Sequence, residues 1–279
     1  MRNIIRVLLF SLPTLVGVVT ARAQTPPKVT MVQVPGPEGV MLKARLVTPS
    51  VPIVGPSIVA LHGCGGAYRK RDEEWIKILT DAGHVILFPD SFGSRGLHSQ
   101  CRVPEPQRVA TSGGLRRRDA LDSAKWLAAQ PGTPAGGVVL FGWSDGGSTV
   151  LAAGRASPEV PAGLLRGLVA IYPGCRGASI NPSWRPAAPL LIQMGESDDW
   201  TPAAPCHALA ARVGALLTLV TYPGAYHDFD APVPVREMQG VPNSQLADHS
   251  VHVGGNPEAA KAAIERVQSF LATLPAVTP

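Results

Sequence analysis

Short, nearly unbroken apolar runs alternate along this chain with segments whose apolar residues recur at helical spacing. Val29–Val34 and Met41–Thr48 flank a Pro-Gly-Pro-Glu-Gly turn at 35–39 and predict an antiparallel pair. Ser57–Leu61, Val85–Phe88, Val138–Phe141, Gly167–Tyr172, Pro189–Met194 and Leu216–Tyr222 follow as strands. Several of them lack polar alternation, as strands covered on both faces do. Helical spacing marks Arg71–Asp81, with Trp75, Ile78 and Leu79 on one face and Gly83 as its stop. It also marks Leu115–Gln130, where Leu121, Ala124 and Leu127 point inward and Pro131-Gly132 ends the helix. Further helices are expected at Ala203–Val213 and, after a long Pro-rich loop, at Pro257–Leu271. This alternation predicts an α/β fold: a mostly parallel twisted sheet of about eight strands with helices on both faces.

The first residues stand outside the pattern. Arg2 and Arg6 bracket the start of an apolar stretch, Val7–Val19, that is short for a membrane span. Ala21-Arg22-Ala23 offers small residues where a signal peptidase cuts. Residues 1–23 therefore read as a signal peptide, with an uncleaved anchor as the alternative. The catalytic domain would span 24–279, exported to the periplasm or secreted, with no stable membrane anchor. Removing Arg2, Arg6 and Arg22 lowers the formal charge from +5 to +2. Arg116-Arg117-Arg118 then reads as the solvated start of a helix. No wider basic stripe with interleaved aromatics is present, which argues against nucleic-acid binding. With glycine and proline scattered as turn punctuation, and no repeat or heptad, one large domain is expected.

Chemistry enters at Val138–Phe141, which runs into Gly142-Trp143-Ser144-Asp145-Gly146-Gly147. A Gly-x-Ser-x-Gly turn between strand and helix forces the serine into a strained backbone that projects its hydroxyl. Glycine two residues either side lets the two elements pass closely. A chain with 29 glycines can match that spacing by chance, so partners must decide. An acyl-transferring serine needs a base, a group to orient it and donors for the oxyanion. The strand at Leu190–Met194 leads into Gly195-Glu196-Ser197-Asp198-Asp199-Trp200-Thr201-Pro202, offering Asp198 with Asp199 as rival. The strand ending at Tyr222 leads to Tyr226-His227-Asp228-Phe229. Both follow strand C-termini, where open α/β sheets build sites. His227 is favoured by position, whereas His62 reads as a brace for its own loop. His249 and His252, beside Asp248, match no zinc spacing, so no metal and no cofactor is expected. Gly63-Cys64-Gly65-Gly66, after the third strand, supplies small residues where a backbone amide can meet a carbonyl oxygen. The amides of Cys64 and Asp145 are the expected oxyanion donors.

Together these segments, with Leu61-His62-Gly63 and Pro89-Asp90-Ser91-Phe92-Gly93-Ser94-Arg95-Gly96, resemble the dienelactone hydrolase family of α/β-hydrolases over nearly the whole mature chain. The resemblance implies an α/β-hydrolase fold, hydrolysis of a small-molecule ester or lactone, and Asp198 as the acid. The family's namesakes carry cysteine at the elbow where this chain has Ser144, so dienelactone itself is not singled out. Trp143 and Trp200 are candidates either for the walls of the acyl pocket or for the core. Arg95 is a candidate either for an acidic substrate group or for an ion pair with Asp90. The strand order of the resembled fold implies disulfides Cys64–Cys101 and Cys175–Cys206, the first pinning the oxyanion loop. A serine peptidase or acyltransferase is the alternative within catalysis. A non-catalytic binding protein is the alternative outside it.

Overall fold

The computed structural model describes residues 25–66 and 69–275, so the expected signal peptide lies outside the described residues. The main sheet has eight strands in the order β1-β2-β4-β3-β5-β6-β7-β8: β1 Lys28–Pro35, β2 Met41–Thr48, β3 Ile58–Leu61, β4 Ile86–Pro89, β5 Val138–Trp143, β6 Leu165–Ile171, β7 Leu190–Gly195 and β8 Leu217–Tyr222. From β4 to β8 every neighbouring pair is parallel, while β1–β2 and β2–β4 are antiparallel. The helices are α1 Arg69–Asp81, α2 Leu115–Ala128, α3 Asp145–Ala153, α4 Arg176–Ile180, α5 Ala204–Val213 and α6 Pro257–Thr273.

Burial follows the sequence pattern. Every residue of β3, β4, β5 and β7 is buried. Over most of β2 alternate residues are buried, and most of β1 is exposed, as expected of antiparallel strands with one covered face. Each fully buried aliphatic or aromatic side chain contributes roughly 1.5–3 kcal/mol. The core formed by Val59, Leu61, Leu140, Phe141, Leu168, Ile192 and their neighbours therefore outweighs any single cross-link. At the far end, α6 starts at Asn256, whose side chain accepts the Ala259 amide at 3.1 Å, with Pro257 in the first turn.

Three local features depart from expectation. The Pro-rich loop before α6 contains a two-stranded ribbon, β9 (Arg236–Met238) and β10 (Val251–Val253). Strands this short lack enough alternating residues to show a period. The short helix α4 falls in a stretch, between Tyr172 and Pro189, to which the sequence pattern assigns no element. Arg116 does not belong to a solvated helix start: it is almost fully buried and pairs with Asp145 and the carbonyl of His62.

Candidate active site

Five strand C-termini converge on one edge of the sheet. The turn after β5 places Ser144 at φ +55° and ψ −119°, the strained conformation expected of its position. The flanking glycines are required sterically. A Cβ on Gly142 would meet the Gly146 carbonyl oxygen at 2.3 Å, and one on Gly146 would meet that of Leu61 at 2.0 Å. Strand β3 therefore passes directly against the start of α3.

His227 follows β8 and lies between serine and acid. Its Nε2 is 2.8 Å from Ser144 Oγ, and its Nδ1 is 2.8 Å from Asp198 Oδ2. The loop after β7 fixes the carboxylate from behind. Asp198 Oδ1 accepts the backbone amides of Trp200 at 2.9 Å and Thr201 at 2.7 Å. Thr201 Oγ1 stands 2.8 Å from Asp198 Oδ2 and 3.1 Å from the carbonyl oxygen of Tyr172. Burial opposes protonation of His227, but the charge and hydrogen bond of Asp198, with the charges of Asp228 and Asp230, together outweigh it and hold the imidazole pKa above the ordinary histidine value. Asp199 turns away and binds His252, accepting its Nδ1–H at 2.6 Å and its backbone amide at 2.9 Å.

The loop after β3 packs against the elbow, with Gly63 in contact with Ser144. Asp145 is the first residue of α3, so its amide has no carbonyl in its own helix to meet. Neither this amide nor that of Cys64 donates to another described residue. The loop is braced on three sides. Cys64 is disulfide-bonded to Cys101, and the Gln100 amide donates to the Cys64 carbonyl at 2.8 Å. His62 Nδ1 donates to the Gly63 carbonyl at 2.8 Å; burial, with the Arg116 charge nearby, pushes His62 down to about 4 and keeps it neutral. Below it, burial would raise the Asp145 carboxyl, but Arg116, Ser112 and Arg108 hold it below the usual carboxylate range.

These groups open onto a cavity of about 820 Å³. Ser144 and His227 lie in its wall beside the Gly63–Gly66 loop, and Trp200 covers the acid side. Val233, Val235 and Met238 form an apolar lip, while Arg71, Arg102 and Arg236 bring positive charge. Among the described residues no group of three or more His, Cys, Asp or Glu side chains is placed to hold a metal ion, and no helix is long and apolar enough to cross a membrane.

One pair of alternatives is decided here, and one expectation is overturned. Trp143 is fully buried and does not line the cavity; its indole binds Asp230 at 2.9 Å, so its place is the core. Arg95 meets neither the cavity nor Asp90. Both its terminal nitrogens bind buried Asp119, at 2.7 and 2.8 Å, and Asp90 instead accepts the amides of Phe92 and Gly93. The bonds to Asp119, with a third from Arg95 Nη1 to the Ser91 carbonyl at 2.8 Å, hold the guanidinium away from the cavity. Both disulfides form as the strand order implied, and Cys175–Cys206 ties α4 to α5. Sequence reading missed Tyr172, Asp230 and Arg116 as neighbours of the site because they act through contacts distant in sequence, and missed Thr201 although it stands three residues from Asp198. Thr201, in the same loop as Asp198, and Asp230, close behind His227 in Tyr226-His227-Asp228-Phe229-Asp230, carried a local hint.

A mostly parallel eight-stranded sheet with a strained serine at the tip of its fifth strand is the architecture of the α/β-hydrolases, and the chain is a hydrolase of that fold. The sequence profile of the Dienelactone hydrolase family matches residues 42–274, and the chain belongs to that family. No curated protein sequence gives a match. Among solved structures, dienelactone hydrolase from Anabaena variabilis ATCC 29413 superposes with a TM-score of 0.63 at 22% identity, covering 90% of this chain and 100% of that one. A hyperthermophilic esterase from the archaeon Pyrobaculum calidifontis gives 0.59 at 17% identity, covering 91% and 88%. An α/β serine hydrolase without a lid from Xanthomonas campestris gives 0.56 at 17% identity, covering 91% and 100%. At such identities the likeness is one of fold.

Proposed function

We propose that this protein hydrolyses carboxylic esters or lactones of small molecules through a Ser144–His227–Asp198 triad and an acyl-enzyme. The observation that carries the reading is the unbroken chain from Ser144 Oγ through both ring nitrogens of His227 to Asp198, opening on the cavity. Asp198 fixes the tautomer with the proton on Nδ1, leaving Nε2 to take the proton of Ser144 as its oxygen attacks the acyl carbon. The negative charge that forms on the carbonyl oxygen is met by the amides of Cys64 and Asp145, both without another partner among the described residues. His227 then returns the proton to the departing alkoxide. Water, deprotonated by the same imidazole, cleaves the acyl-serine and restores the enzyme.

Ser144 as the nucleophile supports esters and lactones in general over dienelactone alone. Two disulfides with no described cysteine left free support an oxidising compartment, in keeping with an exported protein whose leader is residues 1–23. A panel of p-nitrophenyl esters of increasing acyl length, run beside lactones and peptide p-nitroanilides, tests the reading. Ester or lactone turnover is expected, lost in Ser144→Ala. Turnover of the anilides alone would assign the triad to a peptidase instead.

A further inference from the structure

We propose that Asp230 is a positioning residue that holds the nucleophile turn and the imidazole in register through Trp143 and Tyr172. The inference rests on the proposed triad. The Asp230 carboxylate is buried beneath the site and accepts three hydrogen bonds. Its Oδ2 takes the indole N–H groups of Trp75 at 2.8 Å and Trp143 at 2.9 Å, and its Oδ1 takes the Tyr172 hydroxyl at 2.5 Å. Indole can only donate, so Oδ2 is committed as an acceptor. A carboxylate is costly to bury, and an apolar side chain would fill such a space at less cost.

Its donors lead to the reacting groups. Trp143 immediately precedes Ser144, and its ring is clamped by Phe141 at 4.5 Å and Trp75 at 6.0 Å. Tyr172 lies at φ +39°, a conformation strained for a tyrosine. Its ring lies 4.7 Å from that of His227, and its carbonyl accepts Thr201 Oγ1, which also touches Asp198. One carboxylate therefore anchors both the residue before the nucleophile and the residue against the face of the base.

Charge adds a second route. The carboxylates acting on His227 are Asp198, Asp228 and Asp230, all favouring the imidazolium. Burial, with the Asp228 charge, raises the Asp230 carboxyl above the usual carboxylate range, while the Arg71 charge and the hydrogen bonds from Tyr172 and Trp75 favour its ionised form. Arg71 also reaches the Tyr172 hydroxyl at 3.4 Å and lies 4.7 Å over the Trp143 ring. Neutralising Asp230 removes one of the negative charges that stabilise protonated His227, so the imidazole pKa falls.

The test is Asp230→Asn in the full chain, with an ester the wild type turns over. kcat should fall about 10- to 100-fold, as for a reacting group displaced by a fraction of an ångström, with KM little changed. The acid limb of the kcat/KM profile should move to lower pH. Tyr172→Phe keeps the charge and removes one donor, so it should lower kcat with the acid limb unmoved. A folded Asp230→Asn with wild-type kcat overturns the proposal. A fall in kcat with the acid limb unmoved, the pattern expected of Tyr172→Phe, supports the hydrogen-bonded route and overturns the charge route. If Asp230→Asn does not fold, wild-type kcat in Tyr172→Phe overturns it. A wild-type protein inactive on every ester and lactone removes the triad reading and this inference together. Failure of the variants in an active enzyme removes this inference alone.

Discussion

Asp199 and His252 face each other across 2.6 Å, one residue along the chain from the carboxylate that binds His227. This pair ties the loop after β7 to β10, the strand whose Val253 bridges to His227 and lines the cavity. Adjacent aspartates thus have different partners: Asp198 holds the imidazole of the site, and Asp199 holds its roof. Asp198→Asn is expected to cost roughly 10⁴ in kcat, the loss that follows from a wrong imidazole tautomer in serine proteases. Asp199→Asn should cost less than about tenfold, since its effect passes through packing. Steady-state kinetics on both purified variants checks this. A larger loss for Asp199→Asn would move the acid by one residue.

The two disulfides should separate in function. Each closes a loop of similar length, 37 and 31 residues in sequence separation, so chain entropy gives each about 4 kcal/mol. Of the two, Cys64–Cys101 touches the loop proposed to offer an oxyanion amide, and Cys101 lines the cavity. Replacing Cys175 and Cys206 by alanine should lower Tm and leave kcat within about twofold of wild type, because that bridge lies in α4 and α5. Replacing Cys101 by serine should lower kcat as well as Tm. Equal effects on kcat from both would show that the first bridge does not fix the loop.

Arg116 joins the nucleophile turn to the oxyanion loop, binding Asp145 on one side and the His62 carbonyl on the other. Arg116→Ala leaves a buried carboxylate short of its main cation, a change that costs about 3–5 kcal/mol. Asp145 has a depressed pKa in the folded protein. Its contribution to stability is therefore present above the unfolded aspartate value and lost as pH falls through the folded one. Urea unfolding at several pH values should show that acid-dependent part diminish in the variant. An unchanged midpoint at neutral pH would contradict this role for the pair.

The pH dependence of kcat/KM should report His227. The base acts only when neutral; burial lowers its pKa, but the charge and hydrogen bond of Asp198, with the charges of Asp228 and Asp230, together raise it. Activity should rise with pH through a midpoint above that of an ordinary histidine, about 6.5. In Asp198→Asn the residual activity should rise at lower pH. A wild-type midpoint below the ordinary value would mean that burial dominates instead.

Strand positions, the elbow and the place of His227 were legible because each is local. A buried parallel strand is a continuous apolar run, and a nucleophile turn demands glycine at fixed spacing. Choosing Asp198 over Asp199 was not legible from the residues alone, since it depends on which carboxylate faces His252, a residue far along the chain. Arg116 misled for a related reason. Three consecutive arginines look solvated, but helix α2 turns the first of them inward under the elbow, while Arg117 and Arg118 meet Glu159 and Glu38 near the surface. For Arg95 and Trp143 position along the chain leaves a substrate role and a structural one both open, and Asp119 and Asp230, distant in sequence, claim the two side chains. The β9–β10 ribbon was hidden because its strands have too few residues to show a period.

The most direct test of the account is covalent labelling of the full chain with a fluorophosphonate, followed by peptide mass spectrometry. The triad predicts one adduct, on the peptide carrying Ser144, forming together with loss of esterase activity and absent in Ser144→Ala. Esterase activity that survives in folded Ser144→Ala, or a labelled residue other than Ser144, would contradict it.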